Sequence, residues 1–248
     1  DYRRAGIEPS QIRCGAVIIT GETARKQNAR EVTQSLAGLA GDFVVATAGP
    51  ELESVLAGKG AGAAALSVER GKTVLNLDIG GGTTNCCLFD RGEPLHTGCL
   101  NIGGRLLRFT PSGEVLAYTD AMRRIAEDVG VALRIGEPLP QEAVLRIANR
   151  MTAVLEESAN LRPRTALHAA LTVGGALPDT LHADLYTFSG GVADCVYQSA
   201  RGELDFFDIG ETLGRCIAAS RFFTEGRVLH PAETQHATVI GAGAYSMT

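Results

Sequence analysis

Val74-Leu75-Asn76-Leu77-Asp78-Ile79-Gly80-Gly81-Gly82-Thr83-Thr84-Asn85 decides the fold. An apolar run closes on an aspartate, three glycines and two threonines follow, and a second apolar run, Cys86-Cys87-Leu88-Phe89, leads away. The pattern predicts a β-hairpin with a Gly-rich tip. Successive glycines permit positive φ and let another group come close to the backbone, and their N–H groups can form an anion-binding nest. The threonines add hydroxyls, and Asp78 is a hard oxygen ligand suited to Mg²⁺. A dinucleotide fingerprint would open a helix, and a P-loop would end in Gly-Lys-Ser/Thr, so neither describes this stretch. A plain Gly-rich turn is the alternative.

Working outward, Thr73–Asp78, Thr83–Asp90 and Pro94–Asn101 read as a three-strand antiparallel meander, turned the second time at Arg91-Gly92. Upstream, Cys14–Thr20 and Asp42–Thr47 are short buried strands. A helix ending near Leu39 lies between them, and a second helix, rich in small residues, covers about Glu51 to Ser67. Strand–helix alternation of this kind is a parallel α/β signature. Downstream, Arg105–Phe109 and Glu114–Tyr118 form another hairpin. Helices follow over Thr119–Val129 and Pro140–Leu161, the latter with Ile147, Met151, Val154 and Leu155 at helical spacing. Asp184–Ser189 is a strand running into Ser189-Gly190-Gly191, a strand–Gly-Gly–helix junction with Asp194 in the helix's first turn. Asp208–Phe222 and Ala232–Thr248 are helical, the last again built of small residues.

Composition narrows the function classes. Of 248 residues, 45% are hydrophobic and 21% charged, as in a globular domain. The net charge of −5, with basic residues only scattered, argues against nucleic acid as a partner, and no apolar run reaches membrane-span length. The six cysteines include no Cys-x-x-Cys pair and read as buried thiols, and the five histidines lack metal-ligand spacing. The sequence opens on Asp1 rather than Met, which suggests a piece of a longer protein.

Four features stand in a fixed order: a Gly/Ala-rich helix (58–65), the Asp-x-Gly-Gly-Gly-Thr-Thr hairpin (78–84), Ser189-Gly190-Gly191, and a second Gly/Ala-rich helix (237–244). Together they resemble the superfamily of actin, the heat-shock chaperone ATPases and the sugar kinases. The resemblance implies an actin-like ATPase (ribonuclease H-like) α/β fold with a mixed sheet. Residues 1–70 would be a partial first domain ending in a connecting helix. Residues 71–235 would be a near-complete second domain, and 236–248 a connecting helix returning to the first. It implies ATP and Mg²⁺ as cofactors. Gly80, Gly81, Gly82, Thr83 and Thr84 would hold phosphates, and Asp78 the metal or the attacking water. Ser189, Gly190 and Gly191 would lie at the adenosine, and Gly241 at the hinge. Glu22, at the carboxyl end of a strand, is a second candidate catalytic carboxylate, with a solvated loop residue as the alternative.

A narrower resemblance covers essentially the whole chain. Thr20-Gly21-Glu22, Ala48-Gly49-Pro50, Asn101-Ile102-Gly103-Gly104-Arg105-Leu106-Leu107 and Ala237-Thr238-Val239-Ile240-Gly241-Ala242-Gly243-Ala244 are similar to the family of reactivating factors of ethanolamine ammonia-lyase. This implies a chaperone-like ATPase with that adenosylcobalamin enzyme as partner. It also implies a bacterial cytoplasmic setting beside a metabolic microcompartment, with room for a homo-oligomer. The superfamily's first phosphate hairpin is absent from this sequence, so ATPase activity is expected of the full-length protein. A phosphotransferase or phosphatase of the same superfamily, and a non-catalytic actin-like scaffold, stay open beside that reading.

Overall fold

Residues 74–79 and 84–90 pair antiparallel, as the hairpin reading expects. The computed structural model describes Gly6 and residues 14–19, 42–47, 49–197, 207–225 and 227–245. Its central sheet has four strands: β3 (Val74–Ile79), β4 (Thr84–Asp90), β5 (Glu93–Leu100) and β8 (Leu185–Ser189), in the order β5-β4-β3-β8. β3 and β5 run antiparallel to β4, whereas β8 lies parallel to β3, with Asp78 opposite Ser189. All six β3 residues are buried, as expected of a strand covered on both faces. Two strands before the sheet, β1 (Cys14–Ile19) and β2 (Asp42–Thr47), pair in parallel. The hairpin β6 (Leu107–Phe109) and β7 (Val115–Tyr118) stands apart.

Strand periodicity sorts β3 onto two faces. Leu75, Leu77 and Ile79 enter the main core with Ile147, Met151, Val154 and Leu155 of α4 (Gln141–Ser158). Also in that core are Met122 and Ile125 of α3 (Asp120–Asp128), whose N-cap Thr119 accepts from Met122 N–H. Val74 packs on the opposite face with Cys87, Phe89 and Ala63, beneath α1 (Pro50–Gly60) and α2 (Ala63–Arg70). The register is fixed because a one-residue slip would turn Asn76 and Asp78 into the main core in place of Leu75, Leu77 and Ile79. Beneath β8, Phe188 meets Phe222 edge-on at 5.3 Å, and Tyr186 meets the same ring at 5.0 Å.

Two expectations change. The helix expected over Glu51–Ser67 is two helices, because Gly62 takes a left-handed φ of +82° and stops the first. The segment Asp208–Phe222 likewise divides at Ser220 into α7 (Gly210–Ala218) and α8 (Arg221–Thr224). A six-residue helix, α5 (Ala166–Leu171), lies between the elements expected at Pro140–Leu161 and Asp184–Ser189. The junction helix α6 spans Ala193–Tyr197, and the last helix, α9, spans Ala237–Tyr245. The helix expected before Leu39, and Glu22, lie outside the described residues. No helix among the described residues is long and apolar enough to cross a membrane.

Candidate functional site

The hairpin tip is built from backbone. Gly80 N–H closes the turn on Thr83 O at 2.9 Å, so it is not an open donor. The carbonyls of Gly80 and Gly81 accept from Gly104 N–H and Arg105 N–H, at 2.9 and 2.7 Å. Gly81 and Gly82 N–H carry no hydrogen bond among the described residues. None of the three glycines has positive φ, contrary to the conformational reason that the sequence suggests. Space demands glycine at the facing Gly103 instead, which packs so closely on the tip that a Cβ there would stand 2.5 Å from the Gly81 carbonyl carbon. A Cβ on Gly82 would meet nothing within 4 Å, so that side of the tip is open. Thr84 points the other way. It is fully buried and its hydroxyl donates to Ile102 O at 2.8 Å, which makes it a clip under the tip rather than a phosphate donor.

Asp78 sits at the base of the tip, 8% exposed. A buried ladder of side chains holds it: Thr187 Oγ1 donates to Asn76 Oδ1 (2.9 Å), Asn76 Nδ2 to Ser189 Oγ (3.0 Å), and Ser189 Oγ to Asp78 Oδ1 (2.7 Å). Burial pushes the Asp78 carboxyl above its usual range, while the hydroxyls of Ser189 and Thr238 pull it down. A carboxylate that desolvation makes costly gains from a cation beside it. Among the described residues no group of three or more His, Cys, Asp or Glu could hold a metal. One carboxylate with phosphate oxygens and water is, however, a common way to bind Mg²⁺.

The second wall is the strand–Gly-Gly junction. Gly190 has φ +86°, and a Cβ there would lie 2.5 Å from Ile79 O, so conformation and space both demand glycine. Ile79 O accepts from Val192 N–H at 3.2 Å, and Gly190 N–H donates to Thr234 O at 3.0 Å, which seats the junction on the end of β3. Asp194 occupies the first turn of α6 and accepts from Thr234 Oγ1 at 2.6 Å and from Gln235.

Gly241 does not line the site but makes the helix crossing behind it. A Cβ on Gly241 would stand 1.9 Å from Leu56 O, and one on Gly60 1.7 Å from Ala237 O, so α1 and α9 touch backbone to backbone. Thr238, one turn before, is the α9 residue whose hydroxyl helps to pull the Asp78 carboxyl down. Tip and junction enclose a cavity of about 320 Å³ lined by Gly80, Gly81, Arg105, Gly191, Asp208 and Gln235, within the size range of small-molecule sites. Sequence reasoning missed Arg105, Asp208, Gln235 and Thr238. Gly103-Gly104-Arg105 stood out only as a motif, without a role.

An antiparallel meander whose first strand later receives a parallel partner, with helices on both faces, is the actin-like (ribonuclease H-like) arrangement, and that is the fold of this chain. The chain is similar in structure to component A of Acidaminococcus fermentans (R)-2-hydroxyglutaryl-CoA dehydratase. The two share 11% identity over 98% of this chain and 79% of that one, with a TM-score of 0.46. The chain belongs to the EutA family, matching the family described as ethanolamine utilisation protein EutA over residues 1–248. It is 41% identical over 249 residues to the proteins named ethanolamine ammonia-lyase reactivase EutA of Escherichia coli (strain K12) and Salmonella typhimurium (strain LT2). In each case the match takes in 100% of this chain and 53% of the relative, so the chain spans about half the length of the curated relatives it matches.

Proposed function

We propose that the full-length protein is an ATP-dependent reactivating factor for an adenosylcobalamin-dependent ethanolamine ammonia-lyase. It releases damaged cobalamin so that intact cofactor binds. The observation that carries the nucleotide part is the meeting of Gly80 and Gly81 of the tip with Gly191 of the junction at one cavity, with Asp78 held at the base of the tip by Ser189. The partner and the cobalamin follow from the 41% identity to the two named reactivases. The setting is the bacterial cytoplasm, beside the ethanolamine-degrading enzymes, and residues 71–235 form the domain that carries the phosphate and adenosine motifs.

ATP supplies a phosphoanhydride whose cleavage changes the charge at the tip. The N–H groups of Gly81 and Gly82 and the Thr83 hydroxyl bind that charge, as preorganised dipoles do without reorganising. Asp78 holds Mg²⁺ or orients water, fixed by Ser189. Gly190 and Gly191 let adenosine lie on the backbone. The α1–α9 crossing is the hinge, and α9 places Thr238 beside Asp78, so that the helix that must move borders the site. The test is recovery of an inactivated ammonia-lyase holoenzyme by the full-length protein with ATP and Mg²⁺. An Asp78→Ala variant is expected to fold and to lose the ATP-dependent recovery; full recovery with that variant overturns the role of Asp78.

A further inference from the structure

The tip supplies only neutral dipoles, and Asp208, the one carboxylate among the described residues lining the cavity, repels a polyphosphate. Arg105 is the only cation among the described residues lining the cavity. Its place is fixed from behind. Gly103 packs against Gly81, and a Cβ on Gly104 would stand 3.1 Å from Gly210 Cα. Arg105 N–H is bonded to Gly81 O. The side chain then runs along the tip, with Cδ 3.3 Å from where a Cβ on Gly81 would lie. It is 73% exposed, and Nε faces Asp208 Oδ2 at 3.9 Å. That distance exceeds the 2.7–2.9 Å of a charge-assisted hydrogen bond, so the pair is loose. Asp208 is held more firmly than its partner: its side chain is 9% exposed, and Oδ1 accepts from Gly210 N–H at 2.8 Å.

We propose that Arg105 is a phosphate clamp, parked against Asp208 in the empty site and transferred to the terminal phosphates of a bound nucleoside triphosphate. A rigid carboxylate on one wall and a rigid backbone anchor on the other leave the guanidinium as the mobile part. Its planar fork suits phosphate oxygens. The inference rests on the nucleotide reading above and deepens it.

The test is calorimetric titration of the full-length protein with Mg-ATP and, separately, with adenosine. Wild type, Arg105→Ala, Arg105→Lys and Asp208→Asn are compared. Arg105→Ala is expected to weaken Mg-ATP binding by roughly 10- to 100-fold, the value of a charge-assisted contact, and to leave adenosine binding unchanged. Arg105→Lys regains part of the loss. Asp208→Asn keeps an acceptor for Gly210 N–H but removes the competing charge, and tightens Mg-ATP binding. Arg105→Ala without effect on a wild-type affinity for Mg-ATP overturns the clamp and leaves the nucleotide site standing. Equal loss of ATP and adenosine affinity overturns it in favour of a structural role. Weaker Mg-ATP binding by Asp208→Asn overturns the parking role. A wild-type protein that binds neither ligand overturns the nucleotide reading itself.

Discussion

Gly241 and Gly243 lie two residues apart on α9, and the same substitution should act on them with opposite signs. At Gly241 the added Cβ would stand 1.9 Å from Leu56 O, 2.7 Å from Leu56 C and 3.1 Å from Gly60 N. Carbon in van der Waals contact needs about 3.5 Å, so the two helices must part by roughly 1.5 Å. The obstacle is backbone, with no rotamer to yield. Overpacking costs about 1–3 kcal/mol, here at the upper end, and the gain in helix propensity returns up to about 1 kcal/mol. Gly241→Ala should therefore destabilise by about 2 kcal/mol. Gly243 has nothing within 4 Å of its Cβ position, so Gly243→Ala keeps only the propensity term and stabilises by about 0.5–1 kcal/mol. Urea titration of both variants of the full-length protein, read from the midpoints, measures the difference. A Gly241→Ala variant as stable as Gly243→Ala would refute the close crossing of α1 and α9.

Gly82→Ala should leave the unfolding free energy within about 0.5 kcal/mol of wild type, as expected of an uncrowded surface site. Its methyl group should nonetheless lower Mg-ATP affinity, and an unchanged affinity counts against phosphate at that side of the tip. A third prediction concerns pH. His168 is buried with Nε2 3.1 Å from Ser158 Oγ. Burial holds its pKa below 6.5, with Arg164 adding to the effect and Glu157 and Asp179 opposing it. The unfolded chain binds the proton more readily, so His168 costs no stability above about pH 6.5 and lowers it progressively as pH falls from there to the folded pKa. His168→Gln should flatten that part of the stability–pH curve, and an unaltered slope between pH 5 and 6.5, set as the test window around the ordinary histidine value, contradicts the assignment.

The hairpin was legible because two apolar runs flank a Gly-rich turn, and Asn76 and Asp78 on one face of β3 against Leu75, Leu77 and Ile79 on the other fix the register seen in the Val74–Phe89 to Ile79–Thr84 pairing. The Gly190 junction was legible for a local reason, a pair of glycines between a strand and a helix, the first of which takes φ +86°. What escaped were features set by distant parts of the chain. Thr83 and Thr84 look alike in sequence, yet the strand pleat buries Thr84 against Ile102 O. Arg105 and Asp208 come from separate elements and meet only because Gly104 and Gly210 let two backbones approach. The break at Gly62 was hidden in a run of small residues whose composition suits one long helix, and α5 is too short to show helical periodicity.

The central claim is that the tip of residues 80–83, with Asp78 beneath it, is half of a nucleotide phosphate site. Titration of the full-length protein with Mg-ATP tests it most directly. Saturable binding that weakens in both Asp78→Ala and Gly82→Ala is the predicted result. Absence of binding by wild type, or binding that neither substitution alters, would mean that the Gly-rich stretch is only a turn.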